Sequence, residues 1–138
     1  MARSICPFQF DDSGGPVSAS FLAEMPTGIR TKEALLCELY QRLHFPDYFG
    51  NNWDALDECI RDLSWLPAGP VVLRHNDLPL RGDVASQKTY LSILRDAVEK
   101  RWALPGQRLS DLVVVFPAEA REQILWLLRL AADGEMGS

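Results

Sequence analysis

PDYFGNNWDALDECI occupies residues 46–60. Pro46 stops whatever helix precedes it. Tyr48 and Phe49 beside Gly50 make a loop that must approach the surface, and Asn51 or Asn52 offers a side-chain oxygen to the first-turn N–H groups of the helix that follows. Beyond that cap, Leu56, Cys59, Ile60 and Leu63 recur at i, i+3, i+4 and i+7, the spacing of a buried stripe. Asp54, Asp57, Glu58 and Arg61 repeat the spacing two positions out of phase and so share the opposite, exposed face. Asp54 and Glu58 repel each other by roughly a few tenths of a kcal/mol. Asp54 recovers about as much from the helix dipole in the first turn, and Arg61 can reach Asp57 and Glu58. An ordinary solvated face would carry the same charges. The rings beside it favour a sharper reading: Tyr48, Phe49 and Trp53 next to unneutralised carboxylates are what an interface for a cationic partner needs. The rings supply desolvated contact, and the acids supply steering and charge-assisted hydrogen bonds.

Upstream, VSASFLAEM (17–25) reads as a strand ended by Pro26 and Gly28. Thr31 caps a helix, TKEALLCELYQRL, whose Leu35, Leu36, Leu39, Tyr40 and Leu43 fall on one face. Residues 1–16 are harder to place: SICPFQF is a candidate short strand and DDSGGP a turn cluster. Downstream of the quoted stretch the second helix runs to about Leu63, SWLPAG breaks it, and PVVLRH (70–75) is a short apolar strand. A long helix is expected from Val84 to about Ala103, with Tyr90, Leu91, Leu94, Ala97, Val98 and Trp102 inward. LVVVF (112–116) is the most hydrophobic strand, and a last helix spans about 118–131 before a loose DGEMGS tail. The order β-α-α-β-α-β-α predicts an α/β fold with a mainly parallel sheet and right-handed crossovers.

The chain has 138 residues, 47% of them hydrophobic, which suits one domain with a real core. No window approaches the roughly 18 apolar residues of a membrane span, and no signal-peptide pattern opens the chain. Cys6, Cys37 and Cys59 are odd in number and widely spaced, which argues against a disulfide framework or a zinc knuckle and for reduced thiols in a cytoplasmic protein. A net charge of −5 makes direct nucleic-acid binding a poor reading. Residues 47–62 hold five carboxylates against the single Arg61, a net −4 that is most of the chain's excess.

The run L-x-F-P-D-Y-F-G-N-N-W-D-A-L-D-E-C-I (43–60) resembles the barstar family, intracellular inhibitors of secreted ribonucleases of the barnase type. Weaker similarity covers most of 18–116, and Leu94-Arg95-Asp96-Ala97 is a second local match. The resemblance implies a barstar-like α/β fold, a small, mainly parallel three-stranded sheet packed by helices over 17–117; the N-terminal extension (1–16), which includes the candidate strand, and the C-terminal helix and tail (118–138) are additions that the family lacks. It implies an inhibitor that plugs an active site with its second helix and the preceding loop, its acids standing in for substrate phosphates. Glu58 falls on the position that enters the phosphate pocket, Asp54 on a second interface acid, and Tyr48 on the tyrosine that stacks on the catalytic histidine. Asp96 falls on an acid of the later helix, and Gly50 and Asn52 on loop residues that shape the contact. Trp53 flanks this surface. Besides those additions, two departures stand out: Glu58 is one methylene longer than the family's aspartate, and Asp57 replaces a tryptophan at the rim. The partner implied is a basic ribonuclease or toxin nuclease domain, with no cofactor and no metal. The alternative is the same fold reused to bind a basic protein that is not a nuclease.

An enzyme reading finds little footing. Hydrolytic carboxylates usually face each other across a cleft, whereas Asp54 and Glu58 lie along one ridge, and no phosphate loop, GxSxG or HExxH occurs. His44 and His75 lack ligand spacing and are expected in surface or capping positions. Cys59 is expected as a core thiol, Cys37 just off its helix's apolar face, and Trp65 and Trp102 at helix ends. AREQILWLLRLAA is apolar over more than half its circumference, which leaves two readings: a cover for the sheet, or a surface for a homodimer or other partner.

Overall fold

The computed structural model describes residues 8–11, 20–47, 50, 52–63, 65–66, 69–99 and 111–137, with backbone only at 11, 99, 111 and 131–137. Cys6, the first residues of the expected 17–25 strand, Tyr48, Phe49, Asn51 and Trp102 lie outside the described residues. The elements are β1 (Gln9–Asp11), β2 (Phe21–Met25), α1 (Lys32–Arg42), α2 (Trp53–Asp62), β3 (Pro70–His75), α3 (Val84–Glu99), β4 (Asp111–Pro117), a 3-10 turn (Ala118–Ala120) and α4 (Arg121–Gly137).

Among the described residues the sheet has four strands in the order β1-β4-β3-β2, and every pairing is parallel. The expected count of three is corrected by β1. Gln9, Phe10 and Asp11 lie opposite Val115, Phe116 and Pro117 at the sheet edge. A three-residue strand whose partner lies about a hundred residues downstream leaves no local signature of that pairing. Parallel neighbours need crossover connections, and the helices supply them: α1 and α2 between β2 and β3, and α3 between β3 and β4.

Strand β3 is central, and Val71 to His75 are all buried, as expected of a parallel strand covered on both sides. Along one face Val71 and Leu73, Leu112, Val114 and Phe116, and Ala23 and Met25 join the main core. Leu35, Leu36, Leu39 and Leu43 of the first helix and its cap, and Leu56, Cys59, Ile60 and Leu63 of the second, pack into it. Each fully buried leucine contributes about 1.5–3 kcal/mol relative to exposure. The other face is less covered at the β2 edge, where Leu22 is 47% exposed and Glu24 meets Arg74 at 3.9 Å. Helix α4 packs on α3 and buries Ile124, Leu127 and Leu128. No helix among the described residues is long and apolar enough to cross a membrane.

Local chemistry fixes the helix ends. Thr31 Oγ1 accepts from Ala34 N at 3.1 Å, as its sequence position suggests. Leu63 ends α2 in the left-handed region (φ 50°), a conformation ordinarily left to glycine or asparagine. Its side chain is fully buried, and that burial offsets the roughly 1–2 kcal/mol that a left-handed L-residue costs.

Candidate functional site: the acidic helix and its support

Helix α2 begins at a built cap. Asn52 is extended (φ −142°), its Oδ1 accepts from Ala55 N at 2.7 Å, and its Nδ2 donates to Gly50 O at 3.4 Å. A Cβ at Gly50 would come within 3.3 Å of that same Nδ2, so the chain passes close over the capping side chain. The entry to the loop is tied down from α1. Tyr40 O–H donates to Asp47 Oδ1 at 3.3 Å, and the Asp47 charge, together with that bond, raises the Tyr40 phenol above its ordinary pKa. Trp65, just past α2, donates its indole N–H to Leu43 O at 2.9 Å and meets Phe45 edge-on at 6.0 Å, so it packs at a helix end as expected.

The four charged positions on the exposed stripe of α2, Asp54, Asp57, Glu58 and Arg61, separate into two groups. Arg61 is held by Asp57, with Nη2 at 2.7 Å from Oδ2 and Nε at 3.3 Å from the Asp57 carbonyl. Asp54 and Glu58 are exposed, and their side chains make no ion pair or hydrogen bond among the described residues. One turn of helix thus carries two uncompensated carboxylates on one ridge, while the third acid is neutralised next to them. Asp96 sits on α3, which packs against α2. Its carboxylate is half-buried and lies 3.8 Å from Arg95 Nε. Tyr48 lies outside the described residues.

Trp53, the first residue of α2, is only half exposed. Its ring lies 6.5 Å from that of Tyr90, and the Lys32 ammonium stands 5.8 Å from its centroid. The ring read from sequence as part of an exposed flank is therefore also packed against the core.

Behind Tyr90 is a group expected elsewhere. His75, read from sequence as a surface or capping residue, is 3% exposed. Its Nδ1 is 3.0 Å from Val115 O and its Nε2 is 2.7 Å from Tyr90 Oη, while its ring stacks on Phe116 at 4.0 Å and 13°. A carbonyl oxygen can only accept, so Nδ1 carries the proton; the bare Nε2 then accepts from the Tyr90 hydroxyl. Burial lowers the His75 pKa to about 4, against a smaller upward pull from the Val115 carbonyl, and burial also pushes the Tyr90 phenol up. The alternation of PVVLRH held the missed signal: Val71 and Leu73 point inward, and His75 is next on that face. A continuous path therefore runs from β4 through His75 and Tyr90 to the residue next to Asp54.

Cys59 is buried as expected. Burial first, then the Asp62 and Glu58 carboxylates, raise its thiol pKa, which keeps it protonated and unreactive. Cys37 is exposed on α1. His44 is exposed with φ 54° and meets Phe21 edge-on at 5.3 Å. Among the described residues no group of histidine, cysteine and carboxylate side chains could hold a metal ion.

No curated protein matches the chain. A sequence model of the family described as Barstar (barnase inhibitor) matches residues 23–117, a span that holds β3, β4, most of β2, the whole of α2 and Asp96. With that match across most of its length, the chain belongs to the barstar family.

Proposed function

We propose that this chain is an intracellular inhibitor of immunity or antitoxin type that blocks the active site of a basic ribonuclease by taking the place of RNA phosphates. The observation that carries the reading is the pair Asp54 and Glu58, exposed and unpaired among the described residues on a helix where Asp57 is already neutralised. A catalytic groove built to hold phosphates offers cationic donors, and two fixed carboxylates on one ridge complement them with charge-assisted hydrogen bonds. Tyr48 supplies a ring to stack on a catalytic side chain, Asp96 adds charge from the adjoining helix, and Gly50, Asn52, Trp53 and Asp57 form the surrounding contact surface. The extra methylene of Glu58 lets its carboxylate reach deeper than aspartate would. Helix α4 spends Ile124, Leu127 and Leu128 on this chain's own core, which leaves Trp126, 47% exposed, as the largest exposed apolar side chain of α4 among the described residues.

The test is affinity capture of the partner with this chain, then RNA cleavage by the captured protein with and without it. Cleavage that the chain suppresses is the expected result. Replacing Glu58 or Asp54 by alanine should weaken inhibition by about 2 kcal/mol or more while leaving the unfolding midpoint unchanged. Barstar itself is among the complexes that set this general scale for central charged residues. A captured basic partner without nuclease activity, or full inhibition by Glu58→Ala, refutes the phosphate-mimic reading.

A further inference from the structure

A cavity of about 320 Å³ opens beyond the carboxyl ends of β3 and β4, with no residue of helix α2 in its lining. Open parallel sheets bind small ligands at this end of their strands, and the volume lies at the lower limit of small-molecule sites. Its walls come from the 76–83 segment after β3, the first turn of α3, and the 3-10 turn and α4 start that follow β4. The segment after β3 is held in an uncommon shape. Leu80 is fully buried yet left-handed (φ 65°), with its N–H donating to Ile29 O and its carbonyl accepting from Asp83 N, and Gly82 follows at φ 90°. Backbone strain of this kind persists where the surroundings impose it and clusters at ligand sites.

The polar side chains that line the cavity are Arg81, Gln87, Glu119 and Gln123. Gln87 is 4% exposed; its Nε2 donates to Pro79 O at 3.0 Å, and its Oε1 has no partner among the described residues. Among the described residues Asp77 Oδ1 is the one fully enclosed side-chain oxygen without a partner, so Gln87 Oε1 keeps contact with open space and is free to accept from a group in the cavity. Arg81 and Glu119 both line the cavity, and neither makes an ion pair among the described residues. Between them the wall is apolar, with Leu78, Pro117 and a Val84 that is 39% exposed.

We infer that this cavity binds a small zwitterion with an apolar side chain, an α-amino acid of leucine size. The ligand carboxylate meets the Arg81 guanidinium. The ammonium meets the Glu119 carboxylate and donates to Gln87 Oε1. The side chain covers Val84, Leu78 and Pro117. The assignment uses no residue of the inhibitor surface and needs no nuclease for its test.

The experiment is methyl and amide NMR titration of the full chain with L-leucine, N-acetyl-L-leucine and L-leucinamide, repeated on Arg81→Gln and Glu119→Gln. Both positions are exposed, so neither substitution removes core contacts. L-leucine is expected to give saturable shifts at Val84, Gln87 and Ala120 with a Kd of about 1 mM or below. Each singly charged analogue should bind at least about tenfold more weakly, and each substitution should cost L-leucine a similar factor. No saturable shift with L-leucine by about 10 mM, or shifts that neither substitution changes, overturns the assignment. N-acetyl-L-leucine binding as well as L-leucine also overturns it, because the site would then recognise a carboxylate alone.

Discussion

One proton decides how His75 is bonded. Neutral, it donates through Nδ1 to Val115 O and accepts from Tyr90 through Nε2. A second proton on Nε2 would face the Tyr90 hydroxyl, whose own hydrogen would then have to find another acceptor inside the core. Folding therefore holds the His75 pKa at about 4, against 6.5 in the unfolded chain. The contribution is present in full above pH 6.5 and is lost as pH falls toward 4, because only the unfolded chain takes up the proton in that window. The loss is about 1.4 kcal/mol per pH unit, about 3 kcal/mol across the range. Urea midpoints measured from pH 7 to pH 4 should fall accordingly, and His75→Leu should remove that share of the slope; equal slopes would refute a buried neutral histidine. Tyr90→Phe keeps the ring against Trp53 and deletes the donor to Nε2. It is expected to cost about 1–3 kcal/mol in the same urea titration at neutral pH. His75 was legible only in part. Strand alternation points it inward, but nothing local in the sequence shows that Tyr90 and Val115 wait there to satisfy both ring nitrogens.

Helix α2 shows what an element can declare before folding. Its buried stripe, Leu56, Cys59, Ile60 and Leu63, and its cap were readable from spacing and residue type, because both depend on neighbours within one or two turns. The state of its charges was readable only to the level of alternatives. Arg61 lies within reach of Asp57 and Glu58 alike, and rotamers settle the choice in favour of Asp57. The place of Trp53 depended on α3, which no pattern inside α2 encodes. An exposed i, i+4 pair such as Arg61–Asp57 adds only about 0.3–0.5 kcal/mol. Its larger consequence is to leave Asp54 and Glu58 as the uncompensated acids of the ridge. The cap matters more for stability. Asn52→Ala removes the acceptor of Ala55 N and the donor to Gly50 O, and should cost about 1 kcal/mol in thermal or chemical unfolding. If the loop must also be fixed for partner binding, the variant should lose inhibition beyond what its stability change explains once the partner nuclease is in hand.

Across the whole molecule, the family match begins at residue 23, inside β2, yet the sheet extends beyond it. Strand β1 precedes the matched span and lies along the edge of β4 that β3 leaves open. Phe8, just before it, is buried and tilts against Phe116 at 5.4 Å and 56°. Phe116 is the ring on which His75 stacks. The N-terminal segment is thus coupled through two aromatic contacts to the group that supports Tyr90 and, through it, Trp53. A dispensable leader would tolerate a small residue at position 8. A structural strand would not, because a buried phenylalanine truncated to alanine loses its transfer free energy and leaves a cavity, together about 3–5 kcal/mol. Phe8→Ala should lower the urea midpoint to that extent. It should also weaken the Tyr90 and His75 contacts, so hydrogen exchange at the start of α2 should speed up along with exchange in β4. Exchange that rises in β4 alone would separate the N-terminal strand from the acidic ridge. A midpoint unchanged by Phe8→Ala would show that the fourth strand adds nothing to the core it touches.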